Sequence, residues 1–174
     1  MELARSEAVS RQTYVWLSLM NQTNSGSSDL RIGLVYSLDG TTNTNSTNFA
    51  PIAKPRLIQS VTLAGLAGSA GGKGGVGFVS ALNPGSNFVT NPLIDLSKSN
   101  GVTYSIGRVA FTAPSVTFTP RGEAAVSPTV TNGFDLRIGI GLRQTRGSSV
   151  ATNNDVAVVI DGSVGVPTTY QKTP

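Results

Sequence analysis

The apolar positions of this chain recur in two rhythms. Over residues 2–11 the spacing is helical. Ala4 and Ala8 share a face at i and i+4, Leu3 and Val9 flank them, and the stretch ELARSEAVSR has neither Gly nor Pro. Acidic residues lie toward its start and Arg11 toward its end, as the helix dipole prefers. From Thr13 onward the period is two. Thr13–Met20 puts Val15, Leu17 and Leu19 on one face and Tyr14, Trp16 and Ser18 on the other. Leu30–Leu38 aligns Leu30, Ile32, Leu34, Tyr36 and Leu38. Phe134–Arg143 alternates most cleanly, with Phe134, Leu136, Ile138, Ile140 and Leu142 on one face. Further strands are predicted at Arg56–Leu66, Gly77–Leu82, Thr103–Phe111, Ser115–Thr119, Val156–Ile160 and Ser163–Val166. NQTNSGSSD reads as a turn, DGTTNTNSTN as a polar loop, and residues 83–100 as mostly loop.

One helix followed by strands predicts an α+β, mainly β fold, with the N-terminal helix packed on an antiparallel two-sheet domain. No strand is followed by a helical pattern, which argues against a βαβ fold. The 174 residues fit one domain, 1–174, with 1–11 a helical stub and 13–174 the β part. A helix of about ten residues is marginal alone in water, so this one must lean on the β domain or continue upstream. No run of about 18 apolar residues occurs, and MELARSEAVS lacks the apolar core of a signal peptide.

Composition removes several kinds of chemistry. There is no Cys and no His, which excludes disulfides, Cys/His zinc sites, His-ligated haem and nucleophiles activated by His. The net charge is +4, but the basic residues are spread singly, with no aromatic-interleaved run of the kind that binds nucleic acid. Nine acids are scattered along the chain, many of them in turns or beside strand ends. A glycosidase needs two of them facing across a cleft. No enzyme activity, cofactor or small-molecule substrate is expected.

Two motifs are weaker than they look. Gly72, Gly74 and Gly77 match G-x-G-x-x-G, but a phosphate-binding helix would have to start there, and FVSALNPGSN stops at Pro84 within two turns. Ala67 stands where a P-loop needs its first Gly, and no Ser or Thr follows Lys73. The stretch 65–77 reads as a loop. Asp39, Asn43 and Asn45 cluster oxygen ligands that suit calcium, yet the EF-hand pattern is absent and an Asx-rich turn uses the same letters. Asn21-Gln22-Thr23 and Asn45-Ser46-Thr47 fit the glycosylation sequon. Tyr14 and Trp16 could stack on a sugar, or pack beneath the helix or the second sheet.

The stretch Leu3-Ala4-Arg5-Ser6-Glu7-Ala8-Val9, followed by the strand Thr13–Leu19, resembles the H-type minor pseudopilins of type II secretion and the related minor pilins of type IV pili. VTFTPRGEA matches a late strand-turn of that family through Phe118, Pro120, Arg121 and Gly122. DVAVVIDGSVGV resembles its closing strands through Val158, Ile160, Gly162 and Val164, with Ser163 where a basic residue is common. Residues 40–110 are unmatched. The resemblance implies a non-enzymatic fibre subunit in the bacterial cell envelope. Its partners would be other pilin or pseudopilin subunits, and the inner membrane through an apolar helix upstream of Met1. It further implies that Leu3, Ala4, Ala8 and Val9 dock the helix on the β domain, leaving Arg5 and Glu7 free for neighbours. The alternatives are a carbohydrate- or surface-binding β-sandwich that uses Trp16, Tyr14 or Tyr36, and a viral coat domain.

Overall fold

The computed structural model describes residues 1–24, 27–66, 93–126, 134, 137–147 and 149–171. Its helix, α1 (Glu2–Arg11), is the one that the apolar spacing predicts. It stops at Gln12, whose backbone turns left-handed (φ 54°). There the Gln12 N–H donates to Val9 O and the Thr13 N–H to Ala8 O, closing the last turn. The strands, in chain order, are β1 (Val15–Asn24), β2 (Ser27–Ser37), β3 (Phe49–Pro51), β4 (Arg56–Ile58), β5 (Val61–Ala64), β6 (Leu93–Asp95), β7 (Gly101–Ile106), β8 (Val109–Phe118), β9 (Ala124–Ala125), β10 (Arg137–Arg146), β11 (Ser149–Asp161) and β12 (Val166–Gln171).

They form two sheets. The first runs β3-β2-β1-β8-β7, with β4 also on β2 and β9 on β8. The second runs β12-β11-β10-β5, with β6 also on β10. All pairs are antiparallel except β6 with β10, which is parallel. Alternation explains how they stack. Val15, Leu17, Leu19, Leu34 and Phe118 of the first sheet meet Leu63, Ile138, Ile140 and Ile160 of the second. Ala4 and Ala8 of α1 belong to the same core.

At the end away from α1 the sheets are tied by polar contacts. The Leu63 N–H donates to Asn21 Oδ1 (2.6 Å), and Asn21 Nδ2 donates back to Leu63 O (3.0 Å). The Ser60 N–H donates to Asp29 Oδ1 (2.9 Å), and Thr145 Oγ1 donates to Ser28 O (3.0 Å). Across β10 and β11, Arg143 pairs with the buried Asp155 through two bonds of 2.8 and 3.1 Å.

A second core lies on the outer face of the first sheet. β8 changes partner along its length. Val109–Pro114 pair with β7, while Ser115–Phe118 pair with β1. The β7–β8 hairpin therefore covers the other face of β1 and β2, and brings Val102, Tyr104, Ile106 and Phe111 onto Trp16 and Val35. Trp16, Phe49, Tyr104 and Phe111 follow one another at ring-centroid separations of 5.0, 5.4 and 5.2 Å.

Several predicted elements differ from the observed ones. The turn expected over 21–29 is narrower, because the ladder continues to Asn24 opposite Ser27 and the Asn21 amide is used in the contact with β5. Leu38 falls outside β2 and is exposed. The strand expected at Arg56–Leu66 is two strands in different sheets, divided at Ser60, whose φ of 57° turns the chain. Within 83–100, β6 and a one-turn 3-10 helix (Leu96–Lys98) replace loop. Thr103–Phe111 and Ser115–Thr119 regroup as β7 and β8, because Gly107 (φ 61°) makes the turn between Ile106 and Val109. Phe134 precedes β10, while Ser163 and Val164 belong to the turn before β12. The strand predicted at Gly77–Leu82 lies outside the described residues.

Candidate functional site

The stretches that carry the family resemblance are far apart in sequence and meet at α1. The turn after β8 is built by Thr119. Its N–H donates to Glu123 O (2.9 Å), its carbonyl accepts from the Gly122 N–H (2.8 Å), and its Oγ1 accepts from the N–H groups of Arg121 and Glu123. Pro120 suits the second position of such a turn, and Gly122 supplies the positive φ of 84° that ends it. The turn between β11 and β12 is built by Asp161. Its Oδ1 accepts from the N–H and the hydroxyl of Ser163 (2.9 and 2.6 Å), and its carbonyl accepts from the Gly165 N–H (2.7 Å). The Ser163 hydroxyl is the largest influence holding the Asp161 carboxyl below its ordinary pKa. The two turns are joined by the Ala124 N–H, which donates to Gly162 O (2.7 Å).

α1 lies across this pair of turns. A methyl group built on Gly122 would sit 3.2 Å from Arg5 Nε and from Val9 Cγ2. One built on Gly165 would sit 2.2 Å from Gly122 O and 3.1 Å from Arg5 Cδ. Both glycines are thus required twice, by φ and by close approach. Arg5 Nε is buried here without a hydrogen-bond partner among the described residues.

The docking expected of Leu3, Ala4, Ala8 and Val9 divides. Ala4 and Ala8 are buried, as is Phe118 at the foot of the first turn. Leu3 (52%) and Val9 (39%) are exposed instead. Leu3 precedes Ala4 and Val9 follows Ala8, each about 100° round the helix and in opposite directions; Val9 still sets its Cγ2 against Gly122, while Leu3 lies off the docked arc. Arg5 and Glu7 also depart from the expectation that they are free. Arg5 is half-buried over the two turns, and Glu7 pairs with Arg11. That hydrogen bond is the main influence raising the Arg11 pKa. The Arg11 guanidinium also stands 4.5 Å over the Tyr36 ring. Pro120 is half-buried and Gly122 buried. Sequence reasoning missed Gly165 and the part played by Arg5. The signal it could have used is the spacing of Asp161 and Gly165, an Asx turn closed by a glycine.

The other candidates resolve differently. Asp39 Oδ1 accepts from Ser37 Oγ, the Thr41 N–H, Thr41 Oγ1 and Asn48 Nδ2, all within 2.8–2.9 Å. These bonds, the Thr41 N–H first, bring its pKa down to about 2. Asn43 Oδ1 accepts from the Asn45 N–H, and Asn45 Oδ1 from the Thr47 N–H. The oxygens considered for calcium are engaged in an Asx-turn network whose donors point where a cation would sit. No three Asp or Glu side chains gather into a possible metal site among the described residues. Trp16 is fully buried and cannot stack on a sugar, and the Asn21 amide of the first sequon is committed to Leu63. The glycine motif at 72–77 lies outside the described residues. No described helix is long and apolar enough to cross a membrane.

No family model, curated protein or solved structure matches this chain.

Proposed function

We propose that this chain is the globular β domain of a non-enzymatic subunit of a pilus-like fibre, of the minor-pseudopilin kind. The observation that carries the proposal is the convergence of its three family-like stretches. The LARSEAV helix, the TPRGE turn and the DGSVGV turn pack on one another through Arg5, Val9, Gly122 and Gly165. A helix seated by two alanines and pinned across two glycine turns suits a β domain carried at the end of a longer helix. The same helix leaves Leu3, Ser6 and Ser10 exposed, a face available to neighbouring subunits. In this proposal an apolar helix upstream anchors the protein in the inner membrane before assembly. The fibre then buries that helix, while the β domain stands outward in the periplasm or on an extracellular fibre. The burial of Trp16 weighs against the sugar-binding alternative.

The test is the genomic sequence upstream of Glu2. The expected result is a stretch of about 20 apolar residues preceded by a prepilin-peptidase cleavage site. An open reading frame without such a stretch overturns the proposal.

A further inference from the structure

We propose that the β7–β8 hairpin, with the residues leading into it (99–114), is a flap that opens as a unit over the aromatic core while the two-sheet sandwich stays folded. The flap is anchored at both ends in the main core. Leu96 precedes it and Val116 and Phe118 follow it, all fully buried. Between those anchors its ladder is internal, from Gly101↔Pro114 to Ile106↔Val109. Lifting it breaks no ladder bond between β1 and β2 or between β10 and β11.

The base of the flap has the features of a hinge. A side chain on Gly101 would sit 2.0 Å from Ala113 O, so the two strands cross closely there. Opposite Gly101 stands Pro114, which has no N–H to give. The next residue, Ser115, already belongs to the β1 ladder, and its Oγ lies 2.6 Å from Ser18 Oγ.

Beneath the flap the closed state carries a polar cost. Trp16 Nε1 is buried without a hydrogen-bond partner among the described residues. The Tyr104 hydroxyl faces Ser18, whose Oγ also lies 2.6 Å from Ser115 Oγ. Burial raises the Tyr104 pKa above its ordinary value. The Trp16 N–H gains water when the flap lifts, and an unpaired buried donor is costly. Burial of Val102, Tyr104, Ile106 and Phe111 makes the closed form the ground state. Opening is then a local fluctuation of the kind that precedes global unfolding.

The experiment is native-state hydrogen exchange at low denaturant, read beside acrylamide quenching of Trp16, the only tryptophan in the chain. Amides of 102–113 are expected to exchange about tenfold or more faster than those of β1, β10 and β11, with a shallower denaturant dependence. Trp16 quenching is expected to follow the flap rather than the sandwich. Exchange of 102–113 at the rate and denaturant slope of the sandwich overturns the proposal, as does Trp16 quenching that follows the sandwich rather than the flap.

Discussion

Gly165→Ala tests how tightly α1 is held. Two costs enter. The first is conformational: at φ 66° an L-residue loses about 1–2 kcal/mol, of which about 0.4–1 kcal/mol returns because alanine restricts the unfolded chain. The second is steric. The new Cβ would sit 2.2 Å from Gly122 O, a backbone atom that cannot rotate aside, and 3.1 Å from Arg5 Cδ. Relieving it requires a shift of the turn and of Arg5, comparable to overpacking at about 1–3 kcal/mol. The sum is about 2–4 kcal/mol, which for a chain of this length lowers Tm by roughly 5–15 °C. Gly40→Ala is the control. Gly40 has a similar φ of 72° with nothing within 4 Å of its would-be Cβ, so only the conformational cost of about 1 kcal/mol applies. The assay is thermal and urea melting of both variants, with hydrogen exchange across α1. Gly165→Ala is expected to lose more stability and to speed exchange in α1, because Arg5 must move. Equal losses in the two variants would refute close packing at this junction.

Other substitutions probe the same structure. Ala8→Leu forces a larger side chain into a fully buried contact and is expected to cost about 2–3 kcal/mol in urea melts, whereas Leu3→Ala on the exposed face stays within about 0.5 kcal/mol. Asp155→Ala leaves the Arg143 side chain, 13% exposed, without its bidentate carboxylate and is expected to cost about 3 kcal/mol; Arg143→Met with Asp155→Leu recovers most of that loss. The Asp39 carboxyl is held at about 2, below its unfolded value, so its contribution is complete above about pH 4. It fades as the pH falls through the folded value, and a Thr41 amide shift that titrates near pH 4 instead of near 2, followed by NMR, would contradict the network.

The parts of this fold that were legible in the sequence are those fixed by local periodicity. Ala4 and Ala8, the alternation of Val15, Leu17 and Leu19, and that of Ile138, Ile140 and Leu142 each point to one buried face, and those faces form the main core. What periodicity does not carry is partner choice. Nothing in RLIQSVTLA says that the chain leaves one sheet at Ser60 and enters the other, because that depends on Asp29, thirty-one positions earlier, binding the Ser60 N–H. In β8 the apolar positions do change face, from Val109, Phe111 and Ala113 to Val116 and Phe118, but the pattern does not say that one strand runs through Pro114 and exchanges β7 for β1 there. Trp16 was ambiguous for the same reason. It faces away from the main core, and only the return of the β7–β8 hairpin decides that this face is covered. The candidate site divides along the same line. The turn residues Pro120 and Gly122 entered only through the resemblance of VTFTPRGEA, and the contact of Gly165 with Gly122 and Arg5 is purely tertiary.

The geometry of α1 bears directly on the proposed fibre role. The docked arc is narrow because both seated side chains are alanines, so the helix axis lies close to the core and its position depends on few contacts. Two alanines remove little apolar area, and the fixing must come from elsewhere. Arg5 supplies part of it by lying over the Gly122 and Gly165 turns, and Arg11 supplies part by standing over the Tyr36 ring of β2. These contacts lie on different turns of the helix and resist rotation about its axis as well as tilting. A helix continuing upstream of Met1 by about 20 residues would extend about 30 Å beyond the β domain. A small tilt at the junction would then be multiplied along that length, so the orientation of the domain relative to an anchor depends on the Arg5 contacts more than on the apolar seat. Loss of Arg5 is therefore expected to change the helix direction while leaving the β domain folded, a separation that Ala8→Leu does not produce.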